Sequence, residues 1–243
     1  MKKCLGFVFM IVMAFALFGC GKEEKIADAG KYTIEKETVI KEKMTFDEAL
    51  AEVQKETPDN QEYMTCTMTI SGDGFQTTTI SKYEFDLKKK TYTGIITMTM
   101  TSLLENEKTE SVTYVVDNYM LMEIKETKYK VKLPSLEDCE NLFSTDTYEE
   151  YLMEIKKIVE ENPDKIKAGY DELGCLVIEY NDGEGKYRLV IDNGYPIYMY
   201  YEYHDSIVEV KYSYEKTKVE IPESVKLEDY QDFPGVTSSD GAL

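Results

Sequence analysis

Catalysis needs positioned acids, bases and nucleophiles, and few residues in this chain have the types and spacing for it. One histidine occurs, His204 beside Asp205, at the end of a predicted strand, where an imidazole marks an exposed turn rather than a general base. Ser213-Tyr214-Glu215-Lys216 matches S-x-x-K in letters. That motif belongs at a helix start, whereas this copy falls on a predicted strand with no S-D-N or K-T-G elsewhere. There is no G-x-S-x-G, H-E-x-x-H, phosphate loop or calcium loop. Cys66, Cys139 and Cys175 are widely spaced without a C-x-x-C pair, which excludes the spacing of a zinc site or a thioredoxin-like redox pair. Cys66 sits among apolar alternate positions and Cys175 opens an apolar run, so these cysteines read as small buried hydrophobes, with one disulfide as the alternative. The expectation is a protein that is not an enzyme and takes no cofactor or metal.

A fourth thiol has a different setting. Lys2 and Lys3 precede an apolar run from Leu5 to Phe18, and no acidic residue occurs before Glu23. A membrane-crossing helix needs about 20 apolar residues, so this shorter run after a basic start reads as a cleaved signal peptide. Leu17-Phe18-Gly19-Cys20 resembles the lipobox of bacterial lipoproteins, with Phe18 bulkier than the usual residue. The resemblance implies that residues 1–19 are removed, and that the Cys20 thiol carries a diacylglyceryl group as the first residue of the mature chain.

Charge narrows the partners. With 47 acidic against 28 basic residues and a formal net charge of −19, nucleic acid is excluded as an expected partner. Anionic headgroups repel such a body as well, so membrane attachment is expected through acyl chains on Cys20 and not through a basic patch. The expected location is the outer, extracytoplasmic face of the cytoplasmic membrane. Arg188 is the one arginine among 28 basic residues, a bias that points to AT-rich coding and a Gram-positive source.

The elements follow from periodicity. Residues 20–44 are charge-dense with scattered apolar positions and predict a flexible tether, with an irregular edge strand at Tyr32–Ile40 as the alternative. Thr45 and Glu48 have the spacing of a capping box, opening a short helix with Phe46, Leu50 and Val53 on one face. From Tyr63 the period becomes two, predicting strands at 63–70, 75–87, 91–101, 111–117, 119–125 and 128–133. Residues 135–162 return to helical spacing, with Leu136, Leu142, Tyr148, Tyr151, Leu152, Ile155, Ile158 and Val159 as their apolar positions. A second period-2 block predicts strands at 165–172, 175–180, 186–191, 197–203, 206–214 and 219–221. Asn181-Asp182-Gly183 and Asp192-Asn193-Gly194 are turn letters between strands. Residues 226–243 are acidic, then Gly/Ser-rich, and predict a disordered tail.

A meander of that length with one apolar face must curl around something, because a flat sheet would expose its edges and its oily side. The expected fold class is α+β: a curved antiparallel half-barrel of about 11 strands with helices on its concave face, preceded by an N-terminal helix. Tyr114-Val115-Val116-Asp117-Asn118-Tyr119-Met120-Leu121 with Lys128–Pro134, and Val190-Ile191-Asp192-Asn193-Gly194-Tyr195-Pro196-Ile197 with Lys218–Pro222, resemble the LolA/LppX-like superfamily over residues 45–225. Tyr129 stands where relatives often carry tryptophan. The resemblance implies that half-barrel, in a superfamily that includes carriers of lipids or lipoproteins; fold alone transfers no ligand. The residues add a candidate lining: Met64, Met68, Met98, Met100, Met120 and Met122 fall on the more apolar faces of their strands, facing Tyr151, Leu152 and Ile155. Methionine adapts to irregular apolar ligands and also fills core gaps. The expectation is a membrane-anchored lipoprotein binding or carrying a lipid or other apolar ligand; the alternative is a non-catalytic structural or interaction module with an envelope protein partner.

Overall fold

The computed structural model describes residues 29–33, 38–55, 62–72, 74–102, 107–124, 126–133, 163–181, 183, 185–203 and 205–233. In chain order its elements are β1 (Glu42–Met44), α1 (Phe46–Lys55), β2 (Tyr63–Gly72), β3 (Phe75–Asp86), β4 (Thr91–Ser102), β5 (Lys108–Val116), β6 (Tyr119–Ile124) and β7 (Thr127–Lys132). Then come β8 (Ile166–Tyr170), β9 (Leu176–Asn181), β10 (Gly185–Asp192), β11 (Tyr195–Tyr203), β12 (Ser206–Ser213) and β13 (Gln231–Asp232). All thirteen strands join one open sheet, in the order β1-β8-β9-β10-β11-β12-β2-β3-β4-β5-β6-β7-β13. The two period-2 blocks are therefore one sheet, welded where β12 pairs with β2 from Ser213↔Thr65 to Ile207↔Ser71. Every pairing is antiparallel except β13 on β7. The expected helices of residues 135–162 lie outside the described residues.

Turn letters fix the registers. Asp117 and Asn118 both have positive φ and join Val116 to Tyr119 as a two-residue hairpin. Asn193 and Gly194 do the same between Asp192 and Tyr195; this backbone twist matches the twist of the flanking strands. Asn118 also fastens the end of the meander. Its Oδ1 accepts the Tyr92 N–H at 2.9 Å, and its carbonyl accepts the Leu133 N–H at 2.7 Å. The capping box exists as expected, with Thr45 N–H donating to Glu48 Oε2 at 2.7 Å and Glu48 N–H donating to Thr45 Oγ1 at 3.2 Å. Phe46 and Ala49 of α1 then pack with Ala168, Leu176, Ile178, Leu189 and Ile191 at the β8–β9 end.

Described parts of the expected tether and of the expected tail pack on the sheet. Within the supposed tether of residues 20–44, Ala29 and Tyr32 are buried. Tyr32 stacks on Tyr198 at 5.9 Å and donates to Asp171 Oδ2 at 2.7 Å. Arg188 Nη1 donates to the Thr33 carbonyl, and β1 pairs with β8 from Glu42↔Tyr170 to Met44↔Ala168. That pairing needs glycine at 169, where φ is +150° and an added Cβ would meet the β1 backbone. At the other end, the supposed disordered tail beginning at 226 supplies β13, with Phe233 N–H donating to the Lys130 carbonyl and its ring against Tyr129 at 5.3 Å. The strand expected at 219–221 does not form. Scattered aromatics at long sequence separation hold these arms, a signal that local composition does not carry.

Candidate functional site

Side chains directly opposite one another in a ladder share a face of the sheet, so the registers sort every strand residue. One face, called face A here, carries the row Leu189, Met199, Val210, Met68, Thr79, Met98 and Ser111 across β10 to β5. The neighbouring row on the same face is Tyr187, Tyr201, Val208, Ile70, Thr77, Met100 and Thr109. On the other side of the first row, Tyr212, Cys66, Ser81, Ile96 and Thr113 align. Beyond them stand Met64, Tyr83, Gly94, Val115 and Met120, with Met122 two residues further on β6. All six methionines of the expected lining thus occupy face A.

Burial grades along that face. Met64 is 1% exposed and Met68 8%, whereas Met98 is 44% and Met100 49% exposed. Phe75 and Tyr201 are exposed at the same end. Met120 and Met122 are half-buried. At the closed end Tyr83, Phe85 and Tyr92 form a ring cluster with centroids about 6 Å apart, and Tyr83 packs onto Gly94, where a Cβ would lie 2.5 Å from the ring. Tyr214 OH donates to the Pro196 carbonyl at 2.8 Å.

Charge is sorted just as sharply. On the eleven strands β2 to β12, the hairpin end beyond the bulge at Val190/Ile191 aside, no Asp, Glu, Lys or Arg stands on face A. Lys82, Glu84, Lys108, Glu110, Glu123, Lys128 and Lys130 all lie on the opposite face B, as do Lys167, Glu179, Lys186, Arg188, Glu202, Glu209 and Lys211. Face B pairs them: Arg188 Nε donates to Glu179 Oε1 at 2.6 Å, Tyr198 OH donates to Glu209 at 3.2 Å, and Tyr200 OH donates to Glu202. Burial keeps the proton on the thiol and phenols of the closed end. Burial pushes the Cys66 thiol up to about 12 against a partial opposing pull from Tyr212, and burial raises the Tyr83, Tyr212 and Tyr214 phenols.

No protein-family model matches the chain, and no curated protein matches it. The face therefore has to be read on its own chemistry.

Of the expected site residues, Cys20, Tyr151, Leu152 and Ile155 lie outside the described residues, as does His204. Cys66 and Cys175 are free, buried thiols, so neither contributes to the disulfide held open as an alternative; Cys139 lies outside the described residues. Sequence reasoning passed over Phe75 and Tyr201. Alternation from Met199 places Tyr201 on face A, whereas Phe75 reaches that face through the β2–β3 register, opposite Gly72. The tyrosine and carboxylate pairs of face B are local as well, Tyr200 with Glu202 on one strand and Tyr198 with Glu209 across one hairpin, and were passed over in the same way.

Proposed function

We propose that face A binds an apolar ligand, and that the protein is a non-catalytic, lipid-anchored extracytoplasmic binding protein of LolA/LppX-like architecture. In this reading Cys20 holds the chain to the outer face of the membrane through its acyl groups, and the sheet curls as a half-barrel with face A inside. Twist accumulates strand by strand, and a sheet with one uncharged side and one charged side lowers its free energy by turning the uncharged side inward. The observation that carries the reading is that uncharged face, buried at Met64 and open at Met98 and Met100. A core that only holds a fold together has no need of an exposed apolar end.

The energetics suit a reversible binder. Burying ten methylenes supplies about 8 kcal/mol at roughly 0.8 kcal/mol each, and association costs of at least about 4 kcal/mol are subtracted from it. Micromolar affinity follows. The test is titration of the full chain with an uncharged fluorescent acyl probe, on wild type and on the Met98→Lys, Met100→Lys double variant. Saturable binding in wild type that is lost in the variant, with the thermal midpoint nearly unchanged, is the expected result. Absence of saturable binding in wild type would refute the proposal.

A second reading has one observation in its favour. Phe75, Met98, Met100 and Tyr201 form an exposed apolar end, and such patches also mark protein interfaces. In that case an envelope protein, and not a lipid, would cover face A. A probe that never saturates, with a partner that crosslinks at Met98, would favour it.

A further inference from the structure

We infer that the ligand of face A is an electrically neutral lipid whose head carries hydroxyl or ester oxygens, and not a fatty-acid or phospholipid anion. This rests on the ligand-binding reading above and names the class of molecule that the site takes.

The argument begins at the open end. Met100 stands between Thr77 and Thr109, and Met98 between Thr79 and Ser111. Directly opposed residues in a ladder have Cβ atoms about 4.5–5.5 Å apart, so each exposed thioether is framed by two hydroxyls. A hydroxyl both donates and accepts. Four of them beside two methionines match a head of alcohols and esters joined to an acyl chain.

On β2 to β12, the bulged hairpin end aside, the described residues of face A include no charged side chain to match an ion. The eleven strands place every lysine and the single arginine on face B, where Arg188, Lys186 and Lys211 are paired with Glu179, Glu202 and Glu209. An anionic head seated at Met98 would leave water with no cation on the described strands of face A to receive it, and burial then favours its protonated form. The chain's net charge of −19 adds a repulsive field to that penalty. A cationic head at Met98 fares no better at close range, because face A carries no carboxylate on β2 to β5. The buried thiol and phenols of the closed end keep their protons, so the deep part of the face supplies no charge to any ligand.

The experiment is competition between monooleoylglycerol and oleate, which share one acyl chain, for the full chain at neutral pH in a non-ionic detergent, read as the ratio of bound masses by native mass spectrometry. The expected result is a preference for monooleoylglycerol of at least ~10-fold, the scale of one unmet charge or hydrogen bond. Ser111 is exposed on β5, so Ser111→Lys adds a cation to the open end without disturbing the core. That variant should shift the ratio of bound masses toward oleate by ~10-fold. Equal or tighter binding of oleate by wild type would overturn the inference and leave the ligand-binding reading standing, as would a Ser111→Lys variant with unchanged preference. Failure of both lipids to bind would overturn the ligand-binding reading and this inference with it.

Discussion

Met64 and Met98 are the same residue type on the same face, and the molecule treats them differently. Met64 is packed beside Tyr83 in the closed end, whereas Met98 is 44% exposed. Met64→Ala should therefore lower unfolding free energy by about 2–5 kcal/mol through transfer and cavity terms, while Met98→Ala should change it by less than about 1 kcal/mol. Denaturant titration of the two variants decides this, and equal losses would contradict the burial gradient. Cys66 gives a pH test. Its thiol is raised from 9.0 to about 12 by burial in the folded chain, so the unfolded chain loses that proton first. The contribution is fully present below pH 9 and is lost as pH rises from 9 toward 12, by about 1.4 kcal/mol per pH unit while only the unfolded thiol ionises. Cys66→Ala should make thermal midpoints less steep over that window, and an unchanged slope would count against the buried thiol. Alternation alone made the methionine positions legible. Their exposure was not legible, because it depends on what the rest of the chain lays over each row.

The short strands at the two sheet edges show what a linear reading loses. Turn letters and period-2 runs sufficed to find β2 to β12, since hairpins between neighbours are local. β1 and β13 are three and two residues long and lack any periodic signal. Each depends on long-range partners, Gly169 and Asp171 for the N-terminal arm and Tyr129 and Lys130 for the C-terminal one. Their positions suggest a role, because an unpaired edge strand is a template for association with another chain. Lys128 over the Tyr230 ring and Tyr129 against Phe233 hold β13 on β7. Removing residues 227–243 should expose the β7 edge and promote self-association at concentrations where the full chain stays monomeric, measured by sedimentation velocity. A truncated chain that remains monomeric would show that the tail does not guard the edge.

At the scale of the molecule, thirteen strands make one sheet whose two sides have opposite chemistry. The sequence announces this through alternation, with the charges of β2 to β12 on one parity and the strand methionines on the other. What alternation does not reveal is that the uncharged side is closed at one end and open at the other. That gradient is the central claim, and oxidative footprinting of methionine in the folded chain tests it most directly. Thioether oxidation follows solvent access, so Met98 and Met100 should oxidise quickly and Met64 and Met68 slowly. Saturating the chain with an uncharged acyl lipid should then slow Met98 and Met100 and leave Met64 and Met68 unchanged. Similar rates at all four positions, or oxidation of Met98 and Met100 that the lipid does not alter, would contradict the account.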